Sequence, residues 1–204
     1  MAQNSKENNI THFCGVALEN PLNGFNIGAS IRACGCFDAS FLVASGTRFK
    51  ERVTDFRNLD TEMTRKKIPV FLGVDNLNQF IPFDTDLVFI ERGESSIPLH
   101  EFKHPRRAIY FFGPEDGSVN ENLVKEHHKS HKVHIDTLGS LNLSAAVYIT
   151  LFDRYSKKSS FMVDANQCPR CSSQHLKMDS EKLVNGNIAF HCNSCSYDFQ
   201  VNNT

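Results

Sequence analysis

Residues 107–119, with the sequence RAIYFFGPEDGSV, carry the clearest structural signal in the chain. Their first part is a continuous apolar run rich in aromatic residues, which predicts a strand buried on both faces of a sheet. A Gly-Pro-Glu-Asp-Gly turn follows at once, and open α/β sheets bind ligands beyond the carboxyl ends of their strands. The segment therefore predicts a buried strand followed by a ligand-binding loop, although turns of this composition are also common on protein surfaces.

The sequence also predicts strands and helices before and after this segment. Further strands are predicted over residues 12–18, 40–45, 68–74, 86–91 and 132–136. A helix of small residues is predicted over 27–37, and a longer helix with a basic last turn over 140–158. Strands that alternate with helices predict the α/β class, with a mostly parallel sheet and helices on both of its faces.

The composition limits the possible locations and partners. The chain has 204 residues, and its 22 Lys+Arg against 23 Asp+Glu give a net charge of −1. This balance argues against a protein that coats nucleic acid electrostatically. No apolar run reaches the roughly 18 residues of a membrane-spanning helix, and the polar start MAQNSKENNI lacks the layout of a signal peptide. We therefore expect a cytoplasmic protein with reduced, buried or metal-bound thiols.

Four of the seven cysteines form two CxxC pairs near the C-terminus, at positions Cys168, Cys171, Cys192 and Cys195. Two such pairs can bind one tetrahedral zinc ion, and this spacing is typical of a zinc ribbon; free or redox-active thiols are the alternative. We predict a main domain over 11–158, a polar linker over 159–167 and a zinc ribbon over 168–204. The other three cysteines are predicted to be small core residues: Cys14, Cys34 and Cys36.

A second segment with chemical potential is NIGASIR, residues 26–32, at the start of the small-residue helix. Gly28 and Ala29 allow a close approach of the backbone, and helix-start amides favour an anionic partner. Arg32 lies on the same side of the helix as Gly28. The alternative is an ordinary packing helix with a solvated arginine.

The third segment is LGSLNLSAAV, residues 138–147, at the start of the longer helix. Ser140, Asn142 and Ser144 place three short polar groups within about one helical turn. Ser140 could simply cap the helix. Polar groups at a buried helix start need partners, however, and a bound ligand can supply them.

Taken in order, these segments resemble the three motifs of a known enzyme family. Asn-x-Gly-x-x-x-Arg at 26–32, Phe-Gly-Pro-Glu at 112–115 and Ser-Leu-Asn-x-Ser at 140–144 are similar to the motifs of the SpoU/TrmH family of RNA ribose 2′-O-methyltransferases, in the SPOUT superfamily. The resemblance covers about residues 14–154. It implies a C-terminal trefoil knot that binds S-adenosylmethionine, and a homodimer in which the subunits share each active site. One position departs from the family pattern, because only Asp116 separates Glu115 from Gly117 where the family usually has two residues.

The resemblance also assigns roles to individual residues. The implied catalytic positions are Arg32, Asn26, Glu115 and Asn142. The implied cofactor-binding positions are Ile90, Glu91, Gly113, Gly117, Ile135, Ser140 and Leu141. Because a guanidinium stays protonated, we expect Arg32 to bind the phosphate beside the target ribose and to stabilise the developing alkoxide, rather than to act as a base.

The resemblance predicts an S-adenosylmethionine-dependent enzyme that methylates a ribose 2′-hydroxyl of RNA, with tRNA slightly favoured over rRNA. Two alternatives stay open: a non-catalytic RNA-binding or assembly protein with the same fold, and a base methyltransferase of the same superfamily. Local phosphate contacts are predicted for basic groups at 48–50, 65–67 and 103–107, and for a His- and Lys-rich stretch at 125–134. A solvated charged surface is the alternative for each group.

Overall fold

The computed structural model describes residues 12–52, 59–120, 129–157, 168, 176–184, 187–196 and 198–202. The chain divides into two compact units, one over Phe13–Phe161 and one that contains the residues from Met162 onward. The predicted linker at 159–167 lies outside the described residues, so the exact domain boundaries stay a prediction.

The larger unit is built on a seven-stranded sheet. Its strands are β1 (Phe13–Leu18), β2 (Phe41–Ser45), β3 (Val70–Val74), β4 (Asp86–Ile90), β5 (Ile97–Pro98), β6 (Arg107–Phe112) and β7 (Ser130–His134). Their spatial order is β3-β2-β1-β6-β4-β7-β5, and every neighbouring pair is parallel. The predicted α/β class with a parallel sheet is confirmed, and β6 is the central strand.

Two strand predictions differ from the structure. The strand predicted over 132–136 is β7, which begins at Ser130 and ends at His134. The two-residue strand β5 was not predicted, because two residues are too few to form an alternating or apolar pattern.

Two α-helices, α1 (Gly24–Cys36) and α2 (Leu143–Ser156), pack against each other. Asn23 caps α1 by accepting a hydrogen bond from the amide of Phe25. Asn142 caps α2 by accepting from the amides of Ser144 and Ala145, so the alternative in which Ser140 simply caps the helix does not hold. Among the described residues, no helix combines the length and the apolar character that crossing a membrane requires.

Alternating side chains of the strands fill both faces of the sheet. On one face, Phe89 and Phe111 stack with ring centroids 5.1 Å apart and belong to a cluster completed by Leu77, in the 3-10 turn Leu77–Phe80. On the other face, Tyr110 contacts α2 through Arg154. Two of the early cysteines, Cys14 and Cys34, are buried as predicted, whereas Cys36 is exposed and is not a core residue.

A buried arginine fixes the C-terminal half of α2 to the larger unit. Arg154 is only 4% exposed, and it donates a hydrogen bond to the Tyr110 hydroxyl at 3.1 Å. It also donates to three backbone carbonyls, those of Pro105, Arg106 and Phe13. Such a charge is stable only with this full set of partners, so the network defines where α2 lies.

His104 completes this network and is fully buried. Its Nδ1 lies 2.6 Å from the Tyr110 hydroxyl and its Nε2 lies 2.8 Å from Asp153 Oδ2. Burial lowers the pKa of His104 to about 4, against the opposing effect of its hydrogen bond to Asp153. His104 is therefore neutral at physiological pH.

The smaller unit contains a three-stranded antiparallel sheet with the order β10-β9-β8. Its strands are β8 (Leu176–Val184), β9 (Asn187–Cys192) and β10 (Asp198–Asn202). β9 ends at Cys192, the first cysteine of the second CxxC pair.

Candidate active site

A pocket of about 260 Å³ lies at the carboxyl ends of the neighbouring strands β6, β4 and β7. Parallel strands end at one edge of their sheet, which brings the residues that follow them together. The lining includes every residue predicted to bind the cofactor, namely Ile90, Glu91, Gly113, Gly117, Ile135, Ser140 and Leu141. It also includes Arg92 and Thr137, which were not predicted, and His134, which was predicted only as part of the basic stretch at 125–134. Their position directly after β4 and at the end of β7 was the available signal.

Three predicted catalytic residues meet in one hydrogen-bond network beside this pocket. Asn26 Nδ2 donates to Glu115 Oε1 at 2.7 Å, and the Leu22 amide donates to Glu115 Oε2 at 2.7 Å. Asn142 Nδ2 in turn donates to Asn26 Oδ1 at 2.9 Å. Because a carboxylate can only accept, Glu115 fixes the orientation of the Asn26 amide, which then fixes that of Asn142.

The network also joins the starts of the two helices. Asn26 is 7% exposed and needs partners for both ends of its amide, which Glu115 and Asn142 supply. Asn142 Oδ1 accepts from the Ser144 hydroxyl at 2.7 Å while it caps α2. The three sequence motifs are thus one structural unit.

Arg32, the fourth predicted catalytic residue, is exposed and does not line the pocket of its own chain. Its charge acts on Tyr148 of α2, whose pKa is raised mainly by burial, and Arg32 opposes that rise. Tyr148 belongs to an aromatic cluster around Phe37 that also contains Phe152 and Tyr155. Phe152 is 59% exposed, so α2, on which the charge of Arg32 acts, presents an apolar side chain outside the pocket lining.

The loop after β6 has little conformational freedom. A Cβ added to Gly113 would lie 2.9 Å from the Val119 nitrogen, so only glycine fits there without a shift of the backbone. The Val119 amide donates to Glu91 Oε2 at 3.1 Å, which ties the loop to the end of β4. The pocket wall formed by this loop is therefore fixed by the protein itself.

The loop after β6, which has only Asp116 between Glu115 and Gly117, is held by a tight turn and an ion pair. The Gly117 amide closes a turn on the Pro114 carbonyl at 3.2 Å. Asp116 receives two hydrogen bonds from Arg48, at 3.0 and 2.6 Å, in a bidentate ion pair. The single residue between Glu115 and Gly117 thus anchors the loop to the segment that follows β2.

The predicted basic groups lie at two opposite edges of the sheet, where the strands end and where they begin. Residues 48–50 follow the carboxyl end of β2, at the edge that holds the pocket, whereas 65–67 precede β3 and 103–107 precede β6. In the His- and Lys-rich stretch, residues 125–128 lie outside the described residues. Within it, His131 Nε2 lies 3.0 Å from Asp86 Oδ2, and His134 Nδ1 lies 2.9 Å from the Ser96 hydroxyl.

Three cysteines of the smaller unit form a candidate metal centre. The Sγ atoms of Cys168, Cys192 and Cys195 all lie within 4.8 Å of one another, and those of Cys168 and Cys195 are 3.6 Å apart. Tetrahedral zinc with Zn–S bonds of about 2.3 Å separates its thiolates by about 3.8 Å, so this geometry fits the ion. The fourth predicted ligand, Cys171, lies outside the described residues.

Comparisons with known proteins agree on one protein family. The family described as the SpoU rRNA Methylase family matches residues 14–152. The fold is similar to the A. aeolicus TrmH/SpoU tRNA modifying enzyme, with a TM-score of 0.61 and 20% identity over 73% of this chain and 77% of that one. No curated protein sequence gave a significant match.

Two further solved structures share the fold. The SpoU methyltransferase AviRb from Streptomyces viridochromogenes, in complex with AdoMet, has a TM-score of 0.60 and 16% identity over 74% of this chain and 60% of that one. A structure described as giving insights into the 2-OH methylation of C/U34 on tRNA has a TM-score of 0.60 and 19% identity. It is covered over 97% of its length by 72% of this chain.

Proposed function

Because the chain belongs to the SpoU rRNA Methylase family, we propose that it transfers the methyl group of S-adenosylmethionine to a ribose 2′-hydroxyl of RNA. The observation that carries this proposal is the pocket at the carboxyl edge, which gathers every predicted cofactor-binding residue beside the Asn26–Glu115–Asn142 network. We assign this activity to a domain over 11–158 and expect its C-terminal part to form the trefoil knot.

The pocket fits the cofactor in chemical terms. Glu91 and Arg92 offer opposite charges in its lining, while Gly113 and Gly117 place no side chain in the way of a ligand. S-adenosylmethionine supplies a methyl group that its sulfonium already activates. The protein must then align the attacking oxygen behind that methyl and assist the loss of the hydroxyl proton.

We assign the second task to Arg32 together with the RNA itself. The guanidinium binds the phosphate beside the target ribose and stabilises the alkoxide as the proton leaves for a phosphate oxygen or water. Arg32→Lys keeps the charge but loses the fork of donors. We therefore expect the lysine variant to be almost as inactive as Arg32→Ala in a methyl-transfer assay. Near-normal turnover by the lysine variant would exclude this role.

A homodimer explains why Arg32 lies outside the pocket of its own chain. The charge of Arg32 acts on Tyr148 of α2, and the same helix exposes the apolar side chains of Ile149 and Phe152, which favours a protein partner there. We propose that a second copy covers this surface and directs its Arg32 toward the first copy's pocket. A two-fold axis would complete both active sites at once.

Mixed dimers test the shared site directly. Arg32→Ala and Asn142→Ala are each expected to be inactive alone. When the two are co-expressed, a mixed dimer contains one site with every group intact, so about a quarter of the wild-type activity should return. No recovery in a mixture shown to contain mixed dimers would mean that each chain uses its own Arg32.

The reaction itself is tested by binding and by product analysis. Calorimetry should show binding of S-adenosylmethionine, and its absence would favour a non-catalytic RNA-binding protein. Nuclease digestion of the methylated RNA should leave the linkage at the target uncut, since 2′-O-methylation blocks cleavage there; cleavage would indicate a methylated base. We propose tRNA as the first substrate to assay and rRNA as the second, since similar structures are described in connection with each.

We propose that Cys168, Cys171, Cys192 and Cys195 bind a structural zinc ion. The support is the spacing of the three described thiols and the burial of Cys168 and Cys192. An RNA substrate and the buried thiols of Cys14 and Cys34 favour a cytoplasmic location.

A further inference from the structure

Arg92 is the pocket residue whose role the three motifs leave unexplained. It follows β4 directly and lines the pocket. Its Nη2 donates to the Thr137 carbonyl at 2.6 Å and lies 3.2 Å from the Thr137 hydroxyl. These contacts use only one of the three nitrogens of the guanidinium, so Nε and Nη1 still carry donors that can reach a ligand.

The charges of the pocket single out Arg92. Its carboxylates, Glu91 and Glu115, already accept hydrogen bonds from amides of the protein. Arg92 is the one arginine or lysine among the described residues of the lining. A permanent positive charge at a ligand pocket calls for an anionic group, and guanidinium binds carboxylate in a bidentate geometry.

S-adenosylmethionine offers one such group. It consists of an adenosine, a sulfonium and an amino-acid tail, and its α-carboxylate is its only negative charge. We propose that Arg92 binds this α-carboxylate, and that it thereby selects ligands that carry the amino-acid tail. The inference rests on the proposed function, because it takes S-adenosylmethionine as the cofactor.

The contact with Thr137 strengthens this assignment. Two hydrogen bonds hold the guanidinium at the pocket before any ligand arrives, which reduces the entropy lost when a ligand binds. The same contact could instead serve only to tie the end of β4 to the loop after β7. The two roles differ in one respect: a structural tie affects every ligand of the pocket, whereas a carboxylate contact affects only ligands with a carboxylate.

Two ligands separate these roles. S-adenosylhomocysteine carries the amino-acid tail, and 5′-methylthioadenosine keeps the adenosine and the thioether but lacks the tail. In calorimetry, Arg92→Ala should weaken S-adenosylhomocysteine binding by about tenfold or more, as expected for a hydrogen-bonded charge pair. The affinity for 5′-methylthioadenosine should change less than about twofold, and Arg92→Lys should recover part of the lost affinity.

Arg107→Ala is the matched control. Arg107 also donates to a backbone carbonyl, that of Asp84, but it lies at the start of β6, at the opposite edge of the sheet. This variant should bind both ligands as the wild type does. Thermal unfolding of each variant checks that the fold is retained.

The calorimetric results test the assignment of Arg92 separately from the proposed function. Equal weakening of both ligands by Arg92→Ala, or no weakening of either, would overturn the assignment of Arg92 while leaving the proposed function intact. A wild-type chain that binds neither ligand would overturn the proposed function and this inference with it.

Discussion

Acid should destabilise the larger unit through His104, which is fully buried between Tyr110 and Asp153. Burial lowers its pKa from 6.5 to about 4. Between these two pH values the unfolded chain holds one proton more than the folded chain. The free energy of unfolding must therefore fall as the pH falls, by about 1.4 kcal/mol per pH unit and about 3 kcal/mol in total.

Urea unfolding followed by circular dichroism, at pH values from 7 to 4, measures this slope. His104→Gln cannot take up a proton in this range, so its stability should lose this part of the pH dependence. His100 is exposed and lies four residues away, so His100→Gln is the control and should keep the wild-type slope. Equal slopes for the wild type and His104→Gln, or an imidazole of His104 that titrates near 6.5 in NMR spectra, would refute the reasoning.

Other substitutions address the pocket, the buried arginine and the metal centre. Glu115→Gln replaces an acceptor of two hydrogen bonds by an amide that can keep only one, so urea unfolding should show a loss of about 1 kcal/mol, with reduced turnover; unchanged turnover would contradict a role in the site. Gly113→Ala forces the Val119 backbone to move and should weaken S-adenosylhomocysteine about tenfold in calorimetry. Arg154→Met leaves buried carbonyls without donors and should lower the free energy of unfolding by about 3 kcal/mol or more; a loss below about 1 kcal/mol would argue against the network. Cys192→Ser should lower the zinc content of the purified chain in elemental analysis, and full zinc content in this variant would exclude the thiol as a ligand.

The sheet and the pocket were predictable from sequence because both depend on local patterns. Strands buried on both faces read as continuous apolar runs, as β4 and β6 do. Their carboxyl ends had to meet at one edge, which places Glu91 and Gly113 in the same pocket.

What sequence could not show depends on contacts between distant residues. Asp116 and Arg48 are 68 positions apart, and neither position alone suggests a bidentate pair. Ser140 and Asn142 are both good capping residues, and only the hydrogen bond from Asn142 to Asn26 decides between them. The position of Arg32 outside the pocket likewise follows from how α1 packs on α2, which no local pattern encodes.

The hydrogen bond between Asn142 and Asn26 spans 116 positions of the chain. Asn26 is synthesised early, yet its Oδ1 lacks this partner until Asn142, which precedes α2, has been added to the chain. The loop between β7 and α2, which forms one wall of the pocket, emerges just before that helix. The cofactor site can therefore form only when synthesis of the larger unit is almost complete, because its wall includes residues close to the end of that unit.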